Sequence, residues 1–136
     1  MGRSKTDNKY QEKVSYDLRG NIQSLQRNGQ TIAQNTNNGF LVGYFGQIDN
    51  LTYTYDATDK NKLLKVADAS DLTKGFTSVN NTVATHYTYD ANGNLRSDVN
   101  KGIDSIRYNF LNLPTDIFFT GNRKLQFVGR LFRSYQ

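Results

Sequence analysis

The chain has 136 residues, enough for about one domain, and no cysteine, which excludes disulfides and thiolate metal sites. Its 17 Lys and Arg residues outnumber its 12 Asp and Glu residues, but they are spread along the chain, which argues against a nucleic-acid partner. Nine tyrosines and eight phenylalanines with a single proline favour strands over disorder.

The first nine residues are polar and charged, and they predict a flexible N-terminal end over residues 1–9. No apolar run reaches the roughly 18 residues that span a membrane. Because a polar stretch follows the basic residues 1–5, no export signal is expected in this chain.

Alternating apolar residues at Val14 and Tyr16 predict a first strand. Ile22 begins a second strand, which we expect to lie between two turns. The first turn signal is Gly20-Asn21, and the second is Asn28-Gly29, a dipeptide typical of short hairpin loops.

The middle of the chain alternates between loops and short apolar runs. Residues 35–39 predict a loop, residues 40–45 a strand and residues 63–66 another strand. The long polar stretch 67–84 predicts the largest loop.

Two later strand entries have the same pattern of aliphatic residues followed by a tyrosine. Residues 48–53 repeat as residues 103–108, a match that aligns Tyr53 with Tyr108. Further on, Pro114 is expected to start a new segment, and residues 120–122 to form a turn.

One phrase, Tyr-Asp-x-x-Gly-Asn followed by Leu or Ile, recurs along the chain, at Tyr16 and again at Tyr89. Its Asp can accept hydrogen bonds from backbone NH groups just ahead, and its Gly can supply positive φ, so the phrase predicts a strand that enters a tight turn. A third copy begins at Tyr55. Its loop is two residues longer and has no glycine, so Asn61 is the candidate for positive φ.

This phrase resembles the YD repeat of the RHS-repeat family over residues 10–120, and the stretch from Asn100 to Thr115 resembles the linking part of such chains. The resemblance implies an all-β fold of antiparallel β-hairpin repeats that form an open, curved strip of sheet, part of a YD-repeat shell. Residues 121–136 would be a degenerate or truncated last repeat. The structural residues of the motif are Tyr16, Asp17, Gly20, Asn21, Tyr55, Asp56, Tyr89, Asp90, Gly93 and Asn94.

By this resemblance the chain would be a non-catalytic segment of a shell that encloses or presents a C-terminal toxin or effector domain. Its partners would be the other repeats and the toxin domain of a longer protein, secreted or at the cell surface. The alternative function is a carbohydrate-binding or adhesion module of a cell-surface YD-repeat protein. Tyr53 and Tyr87 are the candidate glycan contacts, because each shares a strand face with a second tyrosine.

Catalytic and metal-binding patterns are weak in this sequence. There is one histidine, His86, expected in a strand, and one glutamate, Glu12. The Asp-x-Asn-x-Asn run from Asp90 resembles the start of a calcium loop, but Leu95 and Lys101 stand where such a loop needs Gly and Glu. We therefore expect no enzyme activity, no cofactor and no metal site.

The C-terminal edge of the predicted strip lies at residues 124–128, with one charge and three large apolar residues. Unprotected sheet edges pair with other chains. The sequence therefore predicts self-association through exposed edges.

Overall fold

The computed structural model describes residues 8–35, 41–70, 74–78 and 82–127. The chain divides into two compact units, Met1–Ala84 and Thr85–Gln136. Over the described residues the regular structure is a short 3₁₀ turn, Asn8–Tyr10, and strands β1 (Glu12–Tyr16), β2 (Ile22–Asn35), β3 (Leu41–Tyr55), β4 (Leu63–Asp68), β5 (Tyr87–Tyr89), β6 (Leu95–Asp98), β7 (Ile103–Tyr108), β8 (Pro114–Phe119) and β9 (Arg123–Gln126). Within this part of the chain no helix is long and apolar enough to span a membrane.

The first unit contains a four-stranded sheet of order β1-β2-β3-β4, in which all neighbours are antiparallel. Among its described side chains, Leu51 and Val66 are the buried apolar ones. The predicted strand at 63–66 is confirmed, and β4 continues to Asp68, so the predicted loop begins after that residue. Its described parts, residues 69–70, 74–78 and 82–84, contain no strand.

The hairpin predicted at Asn28-Gly29 is wrong. Strand β2 runs straight through both residues, and Gly29 pairs with Gly46 of β3. Gly29 is buried, and a Cβ there would lie 2.7 Å from Ile48 Cδ1. The absence of a side chain at Gly29 therefore lets Ile48 pack close to the β2 backbone, and glycine within a strand often marks such a close approach.

Strand β2 continues to Asn35, and its antiparallel neighbour β3 begins at Leu41. The predicted loop at 35–39 falls almost entirely outside the described residues, and its first residue, Asn35, still belongs to β2. The predicted strand at 40–45 is confirmed from Leu41 onward, as the start of β3.

The second unit contains a five-stranded antiparallel sheet of order β5-β6-β7-β8-β9. Pro114 begins β8 as predicted, and the predicted turn at residues 120–122 connects β8 to β9. The all-β, antiparallel hairpin prediction is thus confirmed for both sheets.

The tyrosines that end strands β1, β3, β5 and β7 are spaced differently in the two units, and strand length explains the difference. Tyr16 and Tyr55 lie 39 residues apart, and Tyr89 and Tyr108 lie 19 apart. Strand β2 has 14 residues and β3 has 15, against 4 in β6 and 6 in β7. Together with one more connecting residue, the longer hairpin of the first unit accounts for the twenty-residue difference.

Candidate functional site

The recurring phrase folds into a turn with one hydrogen-bonding plan. In the turn between β1 and β2, the Asp17 carboxylate accepts from the backbone NH of Arg19 at 2.8 Å and of Asn21 at 2.9 Å. The Asp17 NH donates to the Asn21 carbonyl at 2.9 Å, and the Gly20 NH donates to the Asp17 carbonyl at 3.1 Å. One side chain therefore satisfies two backbone donors that the tight turn would leave free.

The turn between β5 and β6 repeats this plan. Asp90 accepts from the NH groups of Asn92 and Asn94, both at 2.9 Å, and the Gly93 NH donates to the Asp90 carbonyl at 3.1 Å. Gly20 and Gly93 have φ of +87° and +82°, as the motif predicted.

A third such turn connects β7 to β8, where the recurring phrase is absent from the sequence. Asn109 accepts from the NH groups of Leu111 at 2.9 Å and Leu113 at 3.1 Å. Asn112 stands in the glycine position with φ of +58°. The signal that could have predicted this turn is chemical, because asparagine can replace both the turn acceptor and the left-handed glycine.

The turn at Asp56, between β3 and β4, satisfies its backbone NH groups without a glycine at positive φ. The Asp56 carboxylate accepts from the NH groups of Thr58 and Asp59, both at 2.8 Å, and Asp59 in turn accepts from the Asn61 NH at 3.3 Å. The positive-φ residues of the described chain are five glycines together with Asn112 and Asn122. The prediction of positive φ at Asn61 is therefore wrong, because two successive carboxylate caps make a wider turn that does not need it.

Neighbouring turns are bonded to one another through the final asparagine of the motif. In the first unit the Asn21 amide donates to Asp17 at 2.9 Å and also to the Lys60 carbonyl and to Asn61 Oδ1, both at 3.2 Å, in the next turn. A single side chain thus fastens its own turn and the following one.

The second unit has the same link between its two turns. The Asn94 amide donates to Asp90 at 3.0 Å and to Asn112 Oδ1 of the next turn at 2.9 Å. Asn92 donates to the same oxygen at 3.1 Å. We call each of these links, between neighbouring turns at one end of a sheet, a turn staple.

A tyrosine at the end of a strand, Tyr55 in β3 and Tyr108 in β7, provides a second link, from one hairpin back to the preceding one. The Tyr55 hydroxyl donates to the Ile22 carbonyl at 2.9 Å, and the Tyr108 hydroxyl donates to the Leu95 carbonyl at 2.6 Å. Ile22 and Leu95 are equivalent residues, each directly following the motif asparagine of the preceding turn. The Asp, Gly and Asn of the motif therefore act within and between turns, and Tyr55 and Tyr108 bond their hairpins to the preceding ones.

Removal of the Tyr108 hydroxyl tests this second link. We expect Tyr108→Phe to lower the free energy of unfolding by about 0.5–1.5 kcal/mol, because the Leu95 carbonyl loses its donor. Tyr16→Phe is the matched control, since the Tyr16 side chain is exposed. Chemical denaturation of both variants measures the difference, and equal losses would mean that the Tyr108 bond contributes nothing.

The hydroxyl bonds of Tyr55 and Tyr108 correct the alignment of residues 48–53 with residues 103–108. Tyr108 takes the place of Tyr55, not that of Tyr53 as the 55-residue match implied. A shift of two residues keeps a side chain on the same strand face, so a pattern of alternating residues alone does not reveal it.

Electrostatics at the turns follows from these contacts. The hydrogen bond from the Asn21 side chain is the main cause that lowers the pKa of Asp17, and the Asn94 side chain does the same for Asp90. Burial raises the pKa of Tyr55, and the negative charge of Asp17 adds to this effect. Burial likewise raises the pKa of Tyr108, next to the charge of Asp90.

A lowered pKa in the folded state makes the turns sensitive to acid. The stabilisation by ionised Asp17 and Asp90 is complete above the ordinary aspartate pKa of about 4, and is lost as the pH falls through the lower folded-state value. The double variant Asp90→Asn with Asn94→Leu imitates the third turn, which has Asn109 and Leu113 at these positions.

We expect this double variant to lose less stability than the parent chain between neutral pH and about pH 3. Asp104→Asn is the control, because it removes one negative charge outside the turns. Urea denaturation across this pH range measures the effect. Parallel stability curves for parent and double variant would show that Asp90 does not couple folding to pH.

The other residues singled out in the sequence have these positions. His86 is fully buried, one residue before β5 and not in it, and its Nδ1 lies 3.0 Å from the Asn100 amide nitrogen. Tyr53 and Tyr87 are half-buried, and the Asn100 amide donates to the Tyr87 hydroxyl at 3.5 Å. Glycan contact by these two tyrosines stays a prediction.

A second polar site lies on the sheet of the first unit, and no sequence motif predicts it. Asp49 is 1% exposed, its Oδ2 lies 2.6 Å from Arg27 Nε, and its Oδ1 accepts from the Phe76 NH at 2.6 Å. A cavity of about 310 Å³ adjoins this pair, with Leu25 and Leu51 in its wall. The carboxylate fixes the described part of the loop at 74–78 to the sheet.

Within the described chain, no group of three or more His, Cys, Asp or Glu side chains is close enough to hold a metal ion. Comparisons with protein-family models, with curated proteins and with solved structures give no match to this chain.

Proposed function

We propose that this chain is a non-catalytic wall segment of an RHS/YD-repeat shell, one that encloses or presents the C-terminal toxin or effector domain of a longer secreted or cell-surface protein. The observation that carries the proposal is the turn staple. In both units the same asparagine links its turn to the next turn at the same end of the sheet, through Asn21 to Asn61 and through Asn94 to Asn112. A contact that each hairpin makes to the next in the same way is what a propagating strip of repeats requires.

The distribution of apolar surface also supports a role inside a larger assembly. Among the described side chains, Leu51 and Val66 are the buried apolar ones, whereas many large apolar side chains are exposed. The exposed set is Tyr10, Val14, Tyr16, Leu18, Tyr44, Phe110, Leu111, Leu113, Leu125 and Phe127. Three of them, Phe110, Leu111 and Leu113, lie together in the turn between β7 and β8, and contiguous exposed apolar residues commonly mark contacts with other protein.

The test compares the longer protein that contains this chain, called the parent protein, with a variant whose repeat turns are destabilised. Limited proteolysis of the intact parent should leave its C-terminal domain protected, and the combined variant Gly20→Val with Gly93→Val should expose that domain to cleavage. Gly121→Val is the control, since it places the same side chain at a positive-φ glycine outside the repeat turns.

Two results would contradict the proposal. One is a parent reading frame without a further domain. The other is equal cleavage of the C-terminal domain in parent and variant. Binding on a glycan array that is lost in Tyr53→Ala and Tyr87→Ala, with cleavage unchanged, would establish the adhesion function in its place.

A further inference from the structure

The long β2–β3 hairpin of the first unit contains a segment without charge. Residues 28–48 have no Asp, Glu, Lys, Arg or Pro, although the chain has 29 charged residues, 17 basic and 12 acidic. At the average charged fraction of 21%, a stretch of this length would contain about four. We call residues 28–35 and 41–47, the two strands of this segment, the neutral ribbon.

The neutral ribbon extends beyond its neighbours in the sheet. The ladder between β1 and β2 ends at the pair Glu12 and Arg27, and the ladder between β3 and β4 begins at Leu51 and Asp68. Beside β3, the Ser70 hydroxyl donates to the Ile48 carbonyl at 3.0 Å. Among the described residues no strand pairs with the outer edge of β3 from residue 41 to residue 47.

The ribbon has two outer edges, one on β2 and one on β3, and the β3 edge is better suited to pair with another strand. On β2 the register shifts at Thr31, an extra residue that breaks the edge. Bulges of this kind protect an edge from pairing. The edge of β3 has no shift between Leu41 and Gln47, so seven consecutive residues are free of bulge, charge and proline.

We propose that two copies of this chain pair through the β3 edge of the neutral ribbon, as antiparallel strands about a two-fold axis. A second copy fits because the edge is self-complementary: like charges would oppose each other in a two-fold contact, and the seven edge residues have no charged side chain despite a net charge of +5. A nearby cation is Lys9, whose Nζ lies 5.1 Å from the centre of the Phe45 ring. The pairing is independent of the shell proposal, since it uses residues outside the repeat turns.

The geometry sets the register of this pairing. A two-fold axis through the middle of residues 41–47 places Tyr44 opposite the Tyr44 of the second copy. The Tyr44 carbonyl points toward β2, where it accepts from the Thr31 hydroxyl at 3.2 Å, so on the outer edge Tyr44 is a position without ladder hydrogen bonds. Opposed Cα atoms at such positions lie about 4.5 Å apart, within the range that a disulfide spans. Tyr44 is 51% exposed and would be covered by the contact.

Because the chain has no cysteine, single cysteines report on single contacts. Under mild oxidation we expect Tyr44→Cys to form a covalent dimer much faster than Thr54→Cys and Lys124→Cys. Thr54 is an exposed residue of β3 where β4 occupies the edge, and Lys124 reports on the separate edge at β9. Equal rates at all three positions would mean random collision, and a faster reaction at Lys124→Cys would place the contact at β9. Either result overturns the proposal.

Sedimentation of the full chain without cysteine gives the second measurement. We expect a monomer–dimer equilibrium that Tyr44→Lys weakens by at least roughly tenfold and that Thr54→Lys leaves unchanged. Circular dichroism melting of both variants verifies that each is folded. A parent chain that stays monomeric at high concentration, a Tyr44→Lys variant that dimerises like the parent, or growth into polymers would each refute a closed two-fold contact.

Discussion

Replacement of Asp49 by alanine is expected to lower the free energy of unfolding by about 1.5–3 kcal/mol, the range for hydrogen bonds to a charged group. The carboxylate is almost completely buried and accepts at 2.6 Å from both Arg27 Nε and the Phe76 NH. Without it, the Phe76 NH has no acceptor, and the described part of the loop at 74–78 loses its attachment to the sheet.

Two further variants make this expectation sharp. Asp49→Asn keeps an oxygen for the Phe76 NH but removes the charge that faces Arg27, so its loss should be smaller than that of Asp49→Ala. Asp104→Ala removes an exposed carboxylate and should change stability little. Urea denaturation measures all three. If Asp49→Ala unfolds at the same urea concentration as Asp104→Ala, the buried carboxylate does not hold the loop.

The glycines of the repeat turns are expected to show the second large effect. Gly20→Val and Gly93→Val should each lower the free energy of unfolding by about 1–2 kcal/mol, because both residues have strongly positive φ, where a β-carbon is disfavoured. A Cβ at either glycine would meet no atom within 4 Å, so the cost comes from the backbone and not from packing.

Asparagine provides the matched control for these glycines. Asn112 occupies the equivalent position of the third turn, so Gly20→Asn and Gly93→Asn should cost clearly less than valine. Thermal melting of the four variants tests the order. Valine variants that melt like the parent would show that the turns do not need positive φ.

The turns with the recurring phrase were predictable because their chemistry is local. Asp17 and Asp90 accept hydrogen bonds from residues two and four positions ahead, so the donors and the acceptor of each turn all lie within one short phrase. The phrase does not predict the third turn, because there Asn109 replaces Asp as the acceptor and Asn112 replaces Gly at positive φ.

Contacts between distant residues were not predictable in this way. Asp49 and Phe76 are 27 residues apart, and no spacing rule pairs them. Asn28-Gly29 misled for a related reason, since the buried Gly29 is explained by Ile48 on the neighbouring strand and not by its own sequence neighbours. The turn staples are also long-range contacts. The recurring phrase predicts that Asn21 and Asn94 are equivalent, but it does not predict their acceptors in the later turns, Asn61 and Asn112.

Whether each motif asparagine fastens one turn to the next is tested most directly by a double-mutant cycle. Asn94→Ala removes the donor, and Asn112→Gly removes the acceptor but tolerates the positive φ of that position. The Asn94–Asn112 bond predicts that the two changes together cost less than the sum of the single losses, by about 0.5–1 kcal/mol. Losses that simply add would contradict the staple.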